Sequence, residues 1–172
     1  MKRRLFIERL ITTAACCVVG HPLLEMRRLA LPQRLPDEAG SYSIEGMVLK
    51  YPGDGVTLEG YLSRPRRSGA SPGAILLHGN GGLNHDVRHA AEQLSRRGYA
   101  TLVPDLLSRQ GGTLSFATPD HVATAFARVQ INHLNRDLKS AYRFMAWNDW
   151  IESESIFFMK FRSDSPGALT EL

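Results

Sequence analysis

The sequence predicts an α/β domain: an incomplete open sheet entered through an N-terminal β-hairpin and continued by βαβ units. Three observations predict it. Ala74-Ile75-Leu76-Leu77 is an apolar run without alternation, as a strand buried on both faces requires. His85 to Arg97 places Val87, Ala90, Ala91 and Leu94 at helical spacing, with Gly98 standing where a left-handed C-terminal stop is wanted. Tyr99 to Val103 is a second apolar run, closed by Pro104. Strand, helix and strand within about thirty residues is the parallel crossover unit.

The remaining elements follow in order. Residues 1–26 begin with Lys2-Arg3-Arg4-Leu5-Phe6-Ile7 and continue into the apolar run Ile11 to Gly20, the layout of an export signal. Its adjacent arginines resemble the twin-arginine type, so a periplasmic or otherwise exported location is expected, with a cytoplasmic one as the alternative. That run is about half of the ~20 residues a membrane-spanning helix needs, so no stable span is expected. Residues 27–41, with Pro32 and Pro36, read as a linker to a domain at 42–150. Ser43 to Tyr51 and Val56 to Arg64 alternate apolar and polar residues around Pro52-Gly53-Asp54-Gly55 and predict the antiparallel hairpin. A short helix is expected after Pro119 and a longer one over Ile131 to Trp147, with Leu134, Leu138, Ala141, Tyr142 and Met145 on its apolar face. Residues 151–172 form an atypical tail, in which Ser155 to Phe161 is a candidate strand.

Charge and cysteine content exclude some functions. The chain carries a net charge of +4, but residues 1–34 hold Lys2, Arg3, Arg4, Arg9, Arg27, Arg28 and Arg34 against only Glu8 and Glu25. The body is therefore close to neutral and lacks the clustered basic footprint of a nucleic-acid binder. Both cysteines, Cys16 and Cys17, lie in the leader, so the body has no thiolate for catalysis or metal binding. Nothing in the sequence calls for a cofactor. His85-Asp86-Val87-Arg88-His89 imitates the two-histidine helix of zinc hydrolases, but both histidines fall opposite the apolar face, so no metal site is expected.

The chemistry-bearing motifs are the turn Leu77-His78-Gly79-Asn80-Gly81-Gly82-Leu83-Asn84, the helix end Arg96-Arg97-Gly98-Tyr99, and Val103-Pro104-Asp105-Leu106-Leu107-Ser108-Arg109-Gln110-Gly111-Gly112. In this order, from about Ser43 to Trp147, they resemble the dienelactone hydrolase family, a branch of the α/β-hydrolases acting on lactones and other esters. The resemblance implies a small ester or lactone substrate and a main-chain oxyanion donor at Asn80. Gly79, Gly81 and Gly82, following His78, let a backbone N–H approach the substrate without side-chain obstruction. It also implies that Arg109 holds a substrate carboxylate, a task suited to a planar guanidinium. The alternative for Arg109 is a surface ion pair with Asp105. Where the family usually carries glutamate after the motif histidine or glutamine, this chain has Gly79, which argues against a strict dienelactone substrate.

Acyl transfer on this fold also needs a nucleophile on a G-x-S/C-x-G elbow, followed by an acid and a histidine. The sequence reads as having no such elbow. Ser165, in Ser163-Asp164-Ser165-Pro166-Gly167, imitates one, but Pro166 has no N–H to complete an oxyanion hole and no histidine follows. The expectation is therefore the N-terminal part of a family hydrolase, truncated and inactive as it stands. The competing expectation is a degenerate, non-catalytic α/β module that binds a carboxylate ligand through Arg109.

Overall fold

The computed structural model describes residues 42–161 and the backbone of Leu169–Glu171. Strands β1 (Ile44–Pro52) and β2 (Thr57–Pro65) form the expected hairpin, running in register from Ile44 opposite Pro65 to Pro52 opposite Thr57. After β3 (Ser71–Leu77) come helix α1 (His85–Arg96) and strand β4 (Ala100–Pro104). Two short 3-10 turns, Ser108–Gln110 and Thr113–Ser115, lead to α2 (Pro119–Ala127) and α3 (Ile131–Ala146). Strands β5 (Ile151–Phe161) and β6 (Leu169–Glu171) complete a six-stranded sheet of order β1-β2-β4-β3-β5-β6. Strand β3 is parallel to both β4 and β5, and the outer pairings are antiparallel.

The apolar run of β3 is explained by a core on each face. Ile75 and Leu77 join Leu102, Leu134, Leu138, Ala141 and Met145 under α3. Ala74 and Leu76 join Val87, Ala91, Leu94, Tyr99 and Val103 under α1. Because successive strand side chains point to opposite faces, both parities of β3 must be apolar.

The helices stop and start as their sequences require. Asn84 caps α1 by accepting the Val87 N–H at 3.1 Å, and Gly98, at φ +98°, ends it. Thr118 caps α2 ahead of Pro119 at its first position.

The candidate strand at Ser155 to Phe161 is longer than expected and lies inside the sheet, so the α/β domain continues at least to Phe161. Its first half hides in the sequence for a physical reason. Register jumps from Pro72 opposite Glu152 to Gly73 opposite Ile156, so Ser153-Glu154-Ser155 bulges out of the ladder and breaks the alternation. No helix among the described residues is long and apolar enough to cross a membrane. The leader and linker at 1–41 lie outside the described residues.

Candidate active site

The loop after β3 turns to α1 on one face of the sheet, whereas the loop after β4 turns to α2 and α3 on the other. Adjacent parallel strands whose loops part in this way leave a crevice at their C-terminal ends, where open α/β sheets bind ligands. The glycine-rich turn and the Asp105–Gly112 loop form the two sides of that crevice.

His78, the residue after β3, has a side chain that is 0% exposed. Its Nε2 accepts the Leu106 N–H at 2.9 Å, and its Nδ1 donates to the Gly79 carbonyl at 2.8 Å. An accepting Nε2 carries no proton, so this network assigns the neutral Nδ1–H tautomer. The imidazole ties the two loops together and packs against Phe126 of α2, with ring centroids 5.8 Å apart.

Asp105 does the same from the other side. Its carboxylate accepts the Leu107 N–H at 3.0 Å, the Thr113 N–H at 2.6 Å and the Thr113 hydroxyl at 2.9 Å. Thr113 Oγ1 in turn accepts the Leu83 N–H at 2.9 Å, reaching back into the glycine turn. Burial works to raise the Asp105 pKa, while the Thr113 and Leu107 N–H groups that donate to the carboxylate work to lower it. The lowering wins, and the carboxyl sits below its ordinary value. His78 Nε2 is 3.6 Å from Oδ1, beyond hydrogen-bond length.

Within the glycine turn, Gly82 is at φ +69°, and a Cβ there would stand 2.5 Å from Thr113 Cγ2. Only glycine satisfies both the backbone and the packing. The Gly82 N–H closes the turn onto the Gly79 carbonyl at 3.1 Å. Asn80, at the exposed apex, keeps its N–H free of any acceptor among the described residues. A donor held rigidly at a strand's C-terminal end and left unpaired is suited to a developing oxyanion.

Arg109 pairs with Asp137 of α3, not with Asp105. Its Nε donates to Oδ1 and Oδ2 at 3.1 and 2.9 Å, and its Nη2 donates to Oδ1 at 2.8 Å. Nη2 also donates to the Asp54 carbonyl in the hairpin turn at 3.2 Å. The side chains of Arg109 and Asp137 are 19% and 9% exposed. Hydrogen bonding to Asp137 raises the Arg109 pKa, so the guanidinium is firmly charged. Of its donor atoms, only Nη1 has no acceptor among the described residues.

The supporting residues Asp137, Thr113 and Phe126 were missed by sequence reasoning. Asp137 did carry a signal, because it interrupts the stripe Leu134, Leu138, Ala141 at a core-facing position, where a carboxylate needs a cation. Thr113 and Phe126 carry none, since their roles depend on loops meeting across the sheet.

The letters G-x-S-x-G do occur once, at Gly69-Ala70-Ser71-Pro72-Gly73, contrary to the sequence reading. They do not make an elbow. Ser71 is buried, opens β3 at the end away from the crevice, and donates its N–H to the Trp150 carbonyl at 3.0 Å. The next residue, Pro72, has no N–H to offer. Ser163 and Ser165 lie outside the described residues. β5 ends beside the crevice, with Lys160 opposite Leu77, and β6 returns antiparallel to it, with Leu169 opposite Phe161. His85 and His89 face solvent, their rings stacked at 6.2 Å. No group of three metal-ligating side chains gathers among the described residues.

A mixed sheet with this order, helices on both faces and a glycine turn at the central crevice defines an α/β-hydrolase fold. The chain belongs to the dienelactone hydrolase family, whose model matches residues 58–159. It is 39% identical over 56 residues to YghX of Escherichia coli (strain K12), described as a hydrolase fragment, a match spanning 32% of this chain and 48% of that protein. A Klebsiella pneumoniae subsp. pneumoniae MGH 78578 protein assigned as a dienelactone hydrolase superposes with a TM-score of 0.62 at 20% identity, over 69% of this chain and 50% of the other. Dienelactone hydrolase from Anabaena variabilis ATCC 29413 gives 0.50 at 23% identity, over 69% and 51% of the two chains. At such identities the superpositions speak for the fold. The matches span about half the length of each of these relatives.

Proposed function

We propose that the crevice between β3 and β4 is the acyl-binding half of an ester or lactone hydrolase site, with the Asn80 N–H as an oxyanion donor. The observation that carries this is the unpaired Asn80 N–H, on a turn locked by His78, Thr113 and Gly82. Such a donor stabilises charge that develops on the substrate carbonyl oxygen, and its rigidity avoids reorganisation during the reaction. His78, neutral and fully engaged, holds the loop and is not the general base. Arg109 positions the Asp105–Gly112 loop against α3 and the hairpin turn, leaving Nη1 to meet a substrate carboxylate. A pair already neutralised by Asp137 attracts that carboxylate less than a free guanidinium would. This weighs against the carboxylate-binding module as the primary reading.

We further infer that these residues bind the acyl group without turning it over, a reading supported by the placement of Ser71, the serine of the G-x-S-x-G letters, at the end of β3 away from the crevice. Titration with methylphosphonate, an analogue of the tetrahedral oxyanion, tests the site. Saturable shifts of the Asn80 and Gly81 amide resonances are expected, and unmoved resonances would remove the oxyanion reading. In parallel, p-nitrophenyl acetate hydrolysis is expected to match a heat-killed control; turnover above it would refute the inactive reading. The twin-arginine-like leader directs export, and a reporter fused after residue 41 should reach the periplasm only in cells with a working twin-arginine translocase.

A further inference from the structure

The sheet has a second concave feature at the end away from the crevice. There the start of β3, the start of β4 and the residue before β5 border a cavity of about 400 Å³. Arg64, Arg66 and Arg67, from the end of β2 and the turn that follows, line it together with Trp150. Glu45 is the one carboxylate on its wall. That group already serves two partners: Arg64 Nε donates to Oε1, and Arg66 Nε stands 4.0 Å from Oε2. One carboxylate among three guanidinium groups leaves a positive excess.

Two of the three guanidinium planes, those of Arg64 and Arg67, are held by aromatic rings and not by further acids. Arg64 lies over Trp150 at 5.2 Å from the ring centroid, and Arg67 lies over Tyr42 at 5.8 Å. These contacts leave the terminal Nη groups of the three arginines without acceptors among the described residues. The N–H groups of Ser68 and Gly69, in the turn that borders the cavity, likewise meet no acceptor there. Preset guanidinium forks match phosphate and carboxylate oxygens, and the volume falls within the range of small-molecule sites.

We propose that this cavity binds a small, multiply charged oxyanion, a phosphate-bearing or polycarboxylate compound, against Arg64, Arg66 and Arg67. The site is independent of the acyl-binding crevice, since the length of β3 separates them. A merely solvating arginine rim would attract anions diffusely, without saturation.

Trp150 is a built-in reporter, because the chain has only one other tryptophan, Trp147, which Trp147→Phe removes. The full chain carrying that substitution is titrated with inorganic pyrophosphate and, separately, with citrate, against sodium chloride of matched ionic strength. A saturable change in Trp150 emission with either anion supports the proposal, and the arm that saturates at lower concentration assigns the class. The Arg66→Ala/Arg67→Ala double variant alters exposed side chains and should keep its circular dichroism spectrum while weakening binding roughly tenfold or more. The proposal is overturned if neither anion saturates, if sodium chloride reproduces the response, or if the folded double variant binds equally well.

Discussion

The Asp105 carboxylate shows how one side chain couples the site to stability. Its pKa is lower in the folded chain than in the unfolded one, so it stabilises the fold above the unfolded value, near pH 4, and ceases to do so as pH falls through the folded value. Asp105→Asn is therefore expected to cost about 1–3 kcal/mol at pH 7, with the gap to the parent narrowing towards pH 3. Urea midpoints at pH 7, 5 and 3 measure this, and a constant gap would contradict it. The Arg109–Asp137 pair is partly buried and bidentate, so removing Asp137 strands a charge. Asp137→Ala should cost about 2–3 kcal/mol, below the fully buried range because Arg109 keeps some solvent contact. A double-mutant cycle with Arg109→Ala should return a coupling above about 1 kcal/mol; an additive cycle would mean the two side chains act separately.

Among the elements, the glycine turn between β3 and α1 has the least freedom. Gly82→Ala faces both a positive φ and a clash with Thr113, so a loss of about 2 kcal/mol or more is expected, visible as a lower melting temperature. Adding Thr113→Ser removes the Cγ2 methyl and should recover part of that loss, whereas no recovery would place the cost in the backbone and in the remaining contacts with residue 113 Oγ and Val122 Cγ1. The turn's glycines and its place after a buried strand were legible in the sequence. The Thr113 contact that makes Gly82 indispensable was not, because it joins two residues, 82 and 113, that are far apart in sequence. Helix α3 is similar: its apolar stripe predicted the packing face, while the partner of Asp137 emerged only when the loop after β4 came to rest against it.

At the scale of the molecule, β3 and β4 form the interior of the sheet, with one core on each face. Their amides should be the last to exchange with deuterium, and those of edge strand β1 among the first, since its outer N–H groups have no neighbouring strand among the described residues. Equal protection in β1 and β3 would argue that another chain covers that edge. The division of labour also has a spatial logic. Acyl chemistry is proposed at the C-terminal ends of the parallel strands and anion binding at their N-terminal ends, so a ligand at one need not obstruct the other.

The sequence by itself determined the α/β class, the hairpin, the crossover unit and the family, because these rest on local periodicity, turn glycines and contiguous motifs. It also pointed to Asn80 and Arg109 as residues of interest. Tertiary structure decided what those residues touch. It paired Arg109 with Asp137 in place of Asp105, made His78 a neutral tie between two loops, and turned the G-x-S-x-G letters at Ser71 into a buried strand start. The reason is physical: strand and helix signals repeat within a few residues, whereas each of these contacts forms between segments brought together only by the order and direction of strands in the sheet.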